Sequence, residues 1–168
     1  MLFISMQKNR GMLLEKIINT TIDFYLKNGI AIFHKKNLDI VFGKVIKEDK
    51  AKKLEQTYLA KKSTVDYYGI YQGQFIAFEA KSVEGNILPL YNIKEHQIKY
   101  LEKINAHGGK AFLIILFKEK NAFFMLKPEY LRHSSKKSIN YEQIQKEGIS
   151  LQLNYPGILD FVPLLNLI

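Results

Sequence analysis

A Gln-Gly pair at positions 72 and 73 joins two β-prone runs, VDYYGIY and QFIAFEAKSV, and so restricts how the whole stretch from Val65 to Val83 can fold. A two-residue hairpin turn needs positive φ, and Gly73 accepts it without strain. With those two residues in the turn, Tyr71 faces Gln74, and each antiparallel pair has residue numbers that sum to 145. Asp66 is then expected opposite Glu79, and Thr64 opposite Lys81. Side-chain alternation puts these four on one face with Phe75 and Ala77, and puts Ile76, Phe78 and Ala80 on the other. Cross-strand β-carbons lie about 4.5 to 5.5 Å apart, so two carboxylates converge near one point, with an amine beside them.

The remaining pattern supplies elements to flank such a hairpin. Leu14, Ile17, Ile18, Ile22, Tyr25 and Leu26 recur at three- and four-residue spacing, which predicts a helix from Gly11 to Asn28 ended by Asn28-Gly29. IAIFHKK (30–36) and LDIVFGKVI (38–46) read as strands. NIKEHQIKYLEKINAHGG (92–109) has one apolar stripe and a Gly-Gly stop, which predicts a second helix. KAFLIILF (110–117) is an unbroken apolar run typical of a buried strand, and NAFFMLK follows as its neighbour. PEYLRH and NYEQIQKEG read as short helices, and Pro163 argues against a long helix at the C-terminal end. This order is that of an α/β chain, and 168 residues at 47% apolar content suit a single domain over 1–168.

Charge narrows the partner class. Lys and Arg number 25 against 16 acids, a net +9 that favours phosphate-bearing partners, nucleic acid foremost. More than half of it is local: residues 34–62 hold nine lysines and four acids, 9 − 4 = +5. That stretch is either a solvated surface excursion or an arm that follows a phosphate backbone. The absence of cysteine excludes disulfides, thiolate zinc sites and cysteine nucleophiles. The four histidines are dispersed and lack metal-ligand spacing. MLFISM lacks the leading positive charge of a signal peptide, and no apolar stretch approaches a membrane span, so the chain is read as soluble and cytoplasmic.

Asp66 and Glu79 suit Mg²⁺, a hard cation held by one or two carboxylates together with water and phosphate oxygens. Lys81 is placed to stabilise negative charge building on a phosphodiester during in-line attack by water. Against this stands a surface salt-bridge lattice, which an acid facing a Glu-x-Lys would equally make. Charges at the end of an otherwise apolar strand favour the first reading. Tyr67, Tyr68 and Tyr71 are candidates to stack on DNA bases, although tyrosine is also a frequent strand residue.

STVDYYGIYQGQFIAFEAKS resembles the PD-(D/E)xK nuclease signature in the form found in RecU-type Holliday-junction resolvases. NRGMLLEKIIN, GIAIFHKK, EHQI (95–98), GGKAFLIILF and YEQIQKEG fall in that family's order, so the resemblance covers most of the chain. Val65 stands where the signature usually has Pro. The resemblance implies a restriction-endonuclease-like fold, a central mixed β-sheet flanked by helices with a protruding basic stalk over about residues 34–62. It implies Thr64, Asp66, Glu79 and Gln97 as Mg²⁺ ligands, with Mn²⁺ as a substitute, and Lys81 as transition-state stabiliser. Glu15 and Arg10 match as supporting site residues. The stalk position assigns DNA contact to Lys35, Lys36, Lys44, Lys47, Lys52, Lys53, Lys61 and Lys62 along with Arg10.

The expected activity is Mg²⁺-dependent resolution of four-way junctions by paired nicks in recombination and repair. Paired cuts on a two-fold substrate call for a homodimer. Branch-migration and recombinase proteins are the further partners such work implies. Two rivals are a restriction- or repair-type nuclease of the same fold acting on duplex or flap DNA, and a non-cleaving protein that bridges junctions or anneals strands.

Overall fold

The computed structural model describes residues 12–37, 40–48, 51–59, 64–132 and 137–168, and for residues 12, 40–48 and 51–59 it describes the backbone alone. Helix α1 (Met12–Lys27) leads into β1 (Ile32–Lys35), followed by β2 (Ile40–Glu48), β3 (Ala51–Leu59), β4 (Tyr67–Tyr71) and β5 (Gln74–Val83). Then come β6 (Ile87–Pro89), a 3₁₀ turn (Leu90–Asn92), α2 (Glu95–Ala106), β7 (Lys110–Phe117), β8 (Ala122–Leu126) and α3 (Pro128–Arg132). The chain ends with β9 (Ser138–Asn140), α4 (Tyr141–Glu147), β10 (Ile149–Leu151), β11 (Leu153–Asn154), β12 (Ile158–Leu159) and a 3₁₀ helix (Val162–Leu167).

Six strands form the central sheet in the order β1-β4-β5-β7-β8-β10. Its one parallel pair is β5 with β7, and α2 makes the crossover such a pair requires. The turn between β4 and β5 has φ of 47° at Gln72 and 79° at Gly73, the double positive φ of a type I′ hairpin. The expected register holds from Tyr71↔Gln74 to Tyr67↔Phe78.

Strand alternation divides the core in two. Ile76, Phe78, Phe112 and Ile114 pack with Leu14, Ile18 and Tyr25 of α1 and with Phe161 and Leu165. On the opposite face Ala77, Leu113 and Ile115 pack with Leu101 and Ile104 of α2 and with Leu131 and Ile144. Covered on both faces, β7 is buried from Ala111 to Phe117, which is why it reads as an unbroken apolar run. The face bearing Phe75, Ala77 and Glu79 is therefore the α2 side of the sheet.

The C-terminal segment is tied to α1 by polar anchors. Tyr25 Oη donates to Asp160 Oδ1 at 2.7 Å and accepts from the backbone N–H groups of Phe161 and Val162 at 2.9 and 3.2 Å. Burial, and then the hydrogen bond to Asp160, push the Tyr25 phenol well above its ordinary range. Thr21 Oγ1, fully buried, accepts from the Leu159 N–H at 2.9 Å and donates to the Ile17 carbonyl. Tyr25→Phe leaves two buried N–H groups and a carboxylate without this partner. It is expected to destabilise the chain by about 2 kcal/mol in urea unfolding without changing the m-value.

The basic segment differs in detail from its sequence reading. β2 and β3 pair as a separate two-stranded antiparallel sheet running from Ile40↔Leu59 to Glu48↔Ala51. At nine residues each, these strands span about 30 Å. β3 was not expected as a strand, because AKKLEQTYL is too rich in lysine to stand out from a solvated loop. The segment also begins inside the central sheet, since His34 and Lys35 belong to β1 and pair with Tyr68 and Tyr67. The chain leaves at Lys36 and returns at Asp66, and there the Lys36 N–H donates to the Asp66 carbonyl at 2.7 Å.

Candidate active site

Glu79 lies in the middle of β5 on the α2 face, with its side chain fully buried. The β4–β5 ladder ends at Tyr67↔Phe78, so Asp66 is held differently from a ladder residue: its Oδ2 accepts from the Ala80 N–H at 3.0 Å. That bond places Asp66 where the hairpin arithmetic put it, beside Glu79. Lys81, two residues further along β5, donates from Nζ to Glu79 Oε2 at 3.0 Å and keeps 19% of its side chain exposed. The structure thus brings the three proposed catalytic residues together at one end of the hairpin.

The electrostatics of the pair are set by burial. Desolvation first, and the neighbouring Asp66 carboxylate second, push the Glu79 carboxyl up to about 8, against the opposing pull of Lys81. Glu79 Oε1 is buried without a hydrogen-bond partner. A buried oxygen of this kind, aimed at no protein donor and next to a second carboxylate, fits a cation as its partner. Among the described residues no group of three or more His, Cys, Asp and Glu gathers, so the carboxylate share of this donor set is two. Two carboxylates are a hard, oxygen-only set that suits a divalent cation.

The other expected ligands are bonded to partners of their own. Thr64 precedes the start of β4, so it forms no ladder pair with Lys81; its Oγ1 accepts from Lys36 Nζ at 3.0 Å. Gln97, in the first turn of α2, is 7% exposed, and its Oε1 accepts from the Lys94 N–H at 3.2 Å. That amide oxygen caps the helix here, which a polar residue at the third helical position does by reaching back over the first turn. Glu15 on α1 forms an ion pair with Lys35, joining a supporting acid to one of the expected DNA-binding lysines. Burial, and then the fields of Glu15 and Asp66, raise the phenol of Tyr67, whose hydroxyl donates to Asn19 Oδ1 at 3.2 Å. Arg10, Lys61 and Lys62 lie outside the described residues, as do the side chains of Lys44, Lys47, Lys52 and Lys53.

An open cleft of about 470 Å³ is bordered by Lys36, Thr64, Val65, Tyr68, Phe75 and Tyr100; Asp66, Glu79 and Lys81 do not line it, and Thr64 and Val65 connect it to Asp66 along the chain. Of the tyrosines singled out in the hairpin, Tyr68 is 38% exposed and faces this cleft, whereas Tyr67 is 2% exposed and stacks on Phe78 at 4.9 Å between ring centroids. Phe75 and Tyr100 were not singled out. For Phe75 the alternation that placed it on the Glu79 face was a usable signal; for Tyr100, contributed by a separate helix, no local pattern pointed to it.

The description Recombination protein U belongs to a family model that matches residues 9–167 of the chain. The Holliday junction resolvase RecU of Mycoplasmopsis pulmonis is 47% identical over 157 residues, covering 94% of each chain. That of Geobacillus kaustophilus is 34% identical over 166 residues, covering 92% of this chain and 82% of its own. Among solved structures, Hjc of Archaeoglobus fulgidus, a Holliday junction resolvase, matches with a TM-score of 0.50 at 12% identity, over 81% of this chain and 94% of that one. This last likeness concerns the fold alone and agrees with a restriction-endonuclease-like sheet flanked by helices. With a match over nearly its whole length, the chain belongs to the RecU family.

Proposed function

We propose that this chain is a divalent-metal-dependent endodeoxyribonuclease, one domain with a basic arm, that resolves four-way DNA junctions by paired nicks and works as a homodimer. The observation that carries this reading is the buried, unpartnered Oε1 of Glu79 beside Asp66, with Lys81 at the rim. Relatives named Holliday junction resolvase supply the substrate class. Two active sites related by a two-fold axis match the symmetry of a four-way junction.

Asp66 and Glu79 would hold the cation, Mg²⁺ or in its place Mn²⁺, with Thr64 and Gln97 as neutral oxygen donors; for Gln97 this would mean releasing its bond to Lys94. When bound, the cation supplies positive charge at a phosphoryl oxygen and makes a nearby water more acidic. Lys81 contributes at the rim. Its ammonium is held by Glu79 yet partly exposed, so a non-bridging oxygen of an arriving phosphodiester can share it and have its growing charge stabilised. Lys36 and the arm lysines meet flanking phosphates, which gives an affinity that falls with salt.

A synthetic four-way junction tests this. Symmetric nicks are expected with Mg²⁺, none with chelator, and none from Asp66→Ala under either condition. Equal turnover with and without chelator, or full activity of Asp66→Ala, overturns the assignment. Duplex and flap substrates in the same assay separate junction resolution from a general nuclease of this fold.

A further inference from the structure

Three partly bare aromatic rings line the cleft that reaches Thr64: Tyr68 is 38% exposed, Phe75 45% and Tyr100 37%. The rings of the core, by contrast, are almost wholly covered, Phe78, Phe112 and Phe161 at 0%. The cleft that reaches Thr64 and Lys36 shares Phe75 and Tyr100 with a second depression of about 350 Å³ bordered by Lys103 and His107. The two depressions adjoin at Phe75 and Tyr100 and are taken together as one aromatic trough, with Lys36 lining one and Lys103 the other. Tyr68 and Phe75 lie side by side with centroids 6.4 Å apart and planes only 26° from parallel.

The register ties this trough to the chemistry. Phe75 shares a β5 face with Glu79, and Tyr68 sits across from Ala77, on the same face and two residues beyond Asp66. Ala77, across from Tyr68, is two residues or about 6.7 Å along β5 from Glu79, and Phe75 is four residues or about 13 Å from it. Flat π-faces flanked by cationic side chains are the chemistry by which proteins take single nucleic-acid strands. A second copy of the chain seated here would close the cleft over Thr64 and Lys36.

We propose that the trough floored by Tyr68, Phe75 and Tyr100 is a base-stacking subsite that receives an unstacked nucleobase of the strand whose phosphate lies at Asp66 and Glu79. This rests on the nuclease reading above and adds a recognition step to it. Phe75 and Tyr100 are common to both depressions, and Phe75, on the same β5 face as Glu79, acts as a positioning residue: by holding a base it fixes the strand that carries the phosphate.

The test uses the full chain and a four-way junction carrying either a normal nucleotide or an abasic one next to the scissile phosphate. Phe75→Ala is expected to lower kcat/KM on the normal junction about ten-fold, as loss of one stacked base does, and Phe75→Tyr to restore it. The abasic junction is expected to show the same loss with the unaltered protein and no further loss with Phe75→Ala. Equal ten-fold losses on both junctions overturn the subsite, as does a fall in molecular mass of Phe75→Ala in sedimentation, which identifies the trough as an interface between copies. If the unaltered protein nicks no junction, the nuclease reading has failed and binding of a short oligodeoxythymidine decides the subsite alone. Weaker binding by Phe75→Ala with recovery in Phe75→Tyr then supports it, and equal binding by all three proteins refutes it.

Discussion

Glu79→Gln is expected to lower nicking steeply and, in the absence of divalent cation, to melt higher than the unaltered protein at alkaline pH. The two effects have one origin. Glu79 is fully buried with one oxygen unpartnered, and its carboxyl is pushed up to about 8 from an ordinary 4.5. Between those values the folded state binds a proton that the unfolded state has lost, so stability falls as pH rises through the window and stays low above it. The loss is on the order of a few kcal/mol, or about 5 to 10 °C in melting temperature for a chain of this size. Glutamine keeps the shape and cannot ionise, so Glu79→Gln escapes that penalty above pH 8 and differs least from the unaltered protein near pH 4. A divalent cation reverses the order. It binds the ionised pair, so added Mg²⁺ should raise the melting temperature of the unaltered protein at pH 8.5, have little effect near pH 5, and leave Glu79→Gln unmoved at either. Nicking by Glu79→Gln should fall on the order of 10³-fold, because the ligand that holds the cation at the phosphate is gone. Thermal melts at the two pH values, with and without Mg²⁺, check this independently of any activity assay. A variant that melts lower than the unaltered protein at pH 8.5 without metal contradicts it.

The same residue shows why the centre of this site could be read from the chain. A type I′ turn has a narrow set of sequences, and Gln72-Gly73 sets a register from which the positions of Asp66 and Glu79 follow by counting. The count expected Asp66 as a ladder partner of Glu79; the ladder stops one residue earlier, and Asp66 comes beside Glu79 through the bond of its own side chain to the Ala80 N–H. The count did not reach Thr64, where the chain has already turned toward Lys36. Helices α1 and α2 and strand β7 were legible for a related reason: each buries a continuous face, and a buried face leaves a periodic or unbroken apolar pattern. What stayed illegible depends on partners distant in the chain. β6, β9, β10, β11 and β12 have two or three residues each, too few to carry a period, and exist because a neighbour offers a free edge. Glu79 could be counted to, but its unpartnered oxygen could not, since that depends on how α2 and β7 close over it. Gln97 as a helix cap, and the trough between β4, β5 and α2, are likewise products of packing.

Excising residues 38–63 and joining Asn37 to Thr64 through a two-glycine link is expected to leave the central sheet folded and to remove most junction binding. The fold permits the cut. The arm's two strands pair with each other as a separate sheet, and the chain on either side of it is already in contact through the Lys36 N–H and the Asp66 carbonyl at 2.7 Å. Closing so short a gap costs little loop entropy. The excision removes seven lysines and four acids, which lowers the net charge by 7 − 4 = 3. If five of those lysines meet phosphates, the dependence of log affinity on log salt flattens by about 4 to 5, and affinity at low salt drops by at least two orders of magnitude. Arm contacts reach a substrate with several duplexes more fully than a single duplex, so the preference for a four-way junction over linear DNA should shrink as well. Because Asp66, Glu79 and Lys81 lie outside the excised segment, the Mg²⁺-dependent rise in melting temperature at pH 8.5 should persist. That persistence distinguishes loss of DNA grip from loss of fold. Titrations at several salt concentrations, beside melts of the same preparation, supply both readings. An excised protein that keeps its metal response and binds junctions with an unchanged salt slope assigns the grip to Lys35, Lys36 and the sheet rather than to the arm.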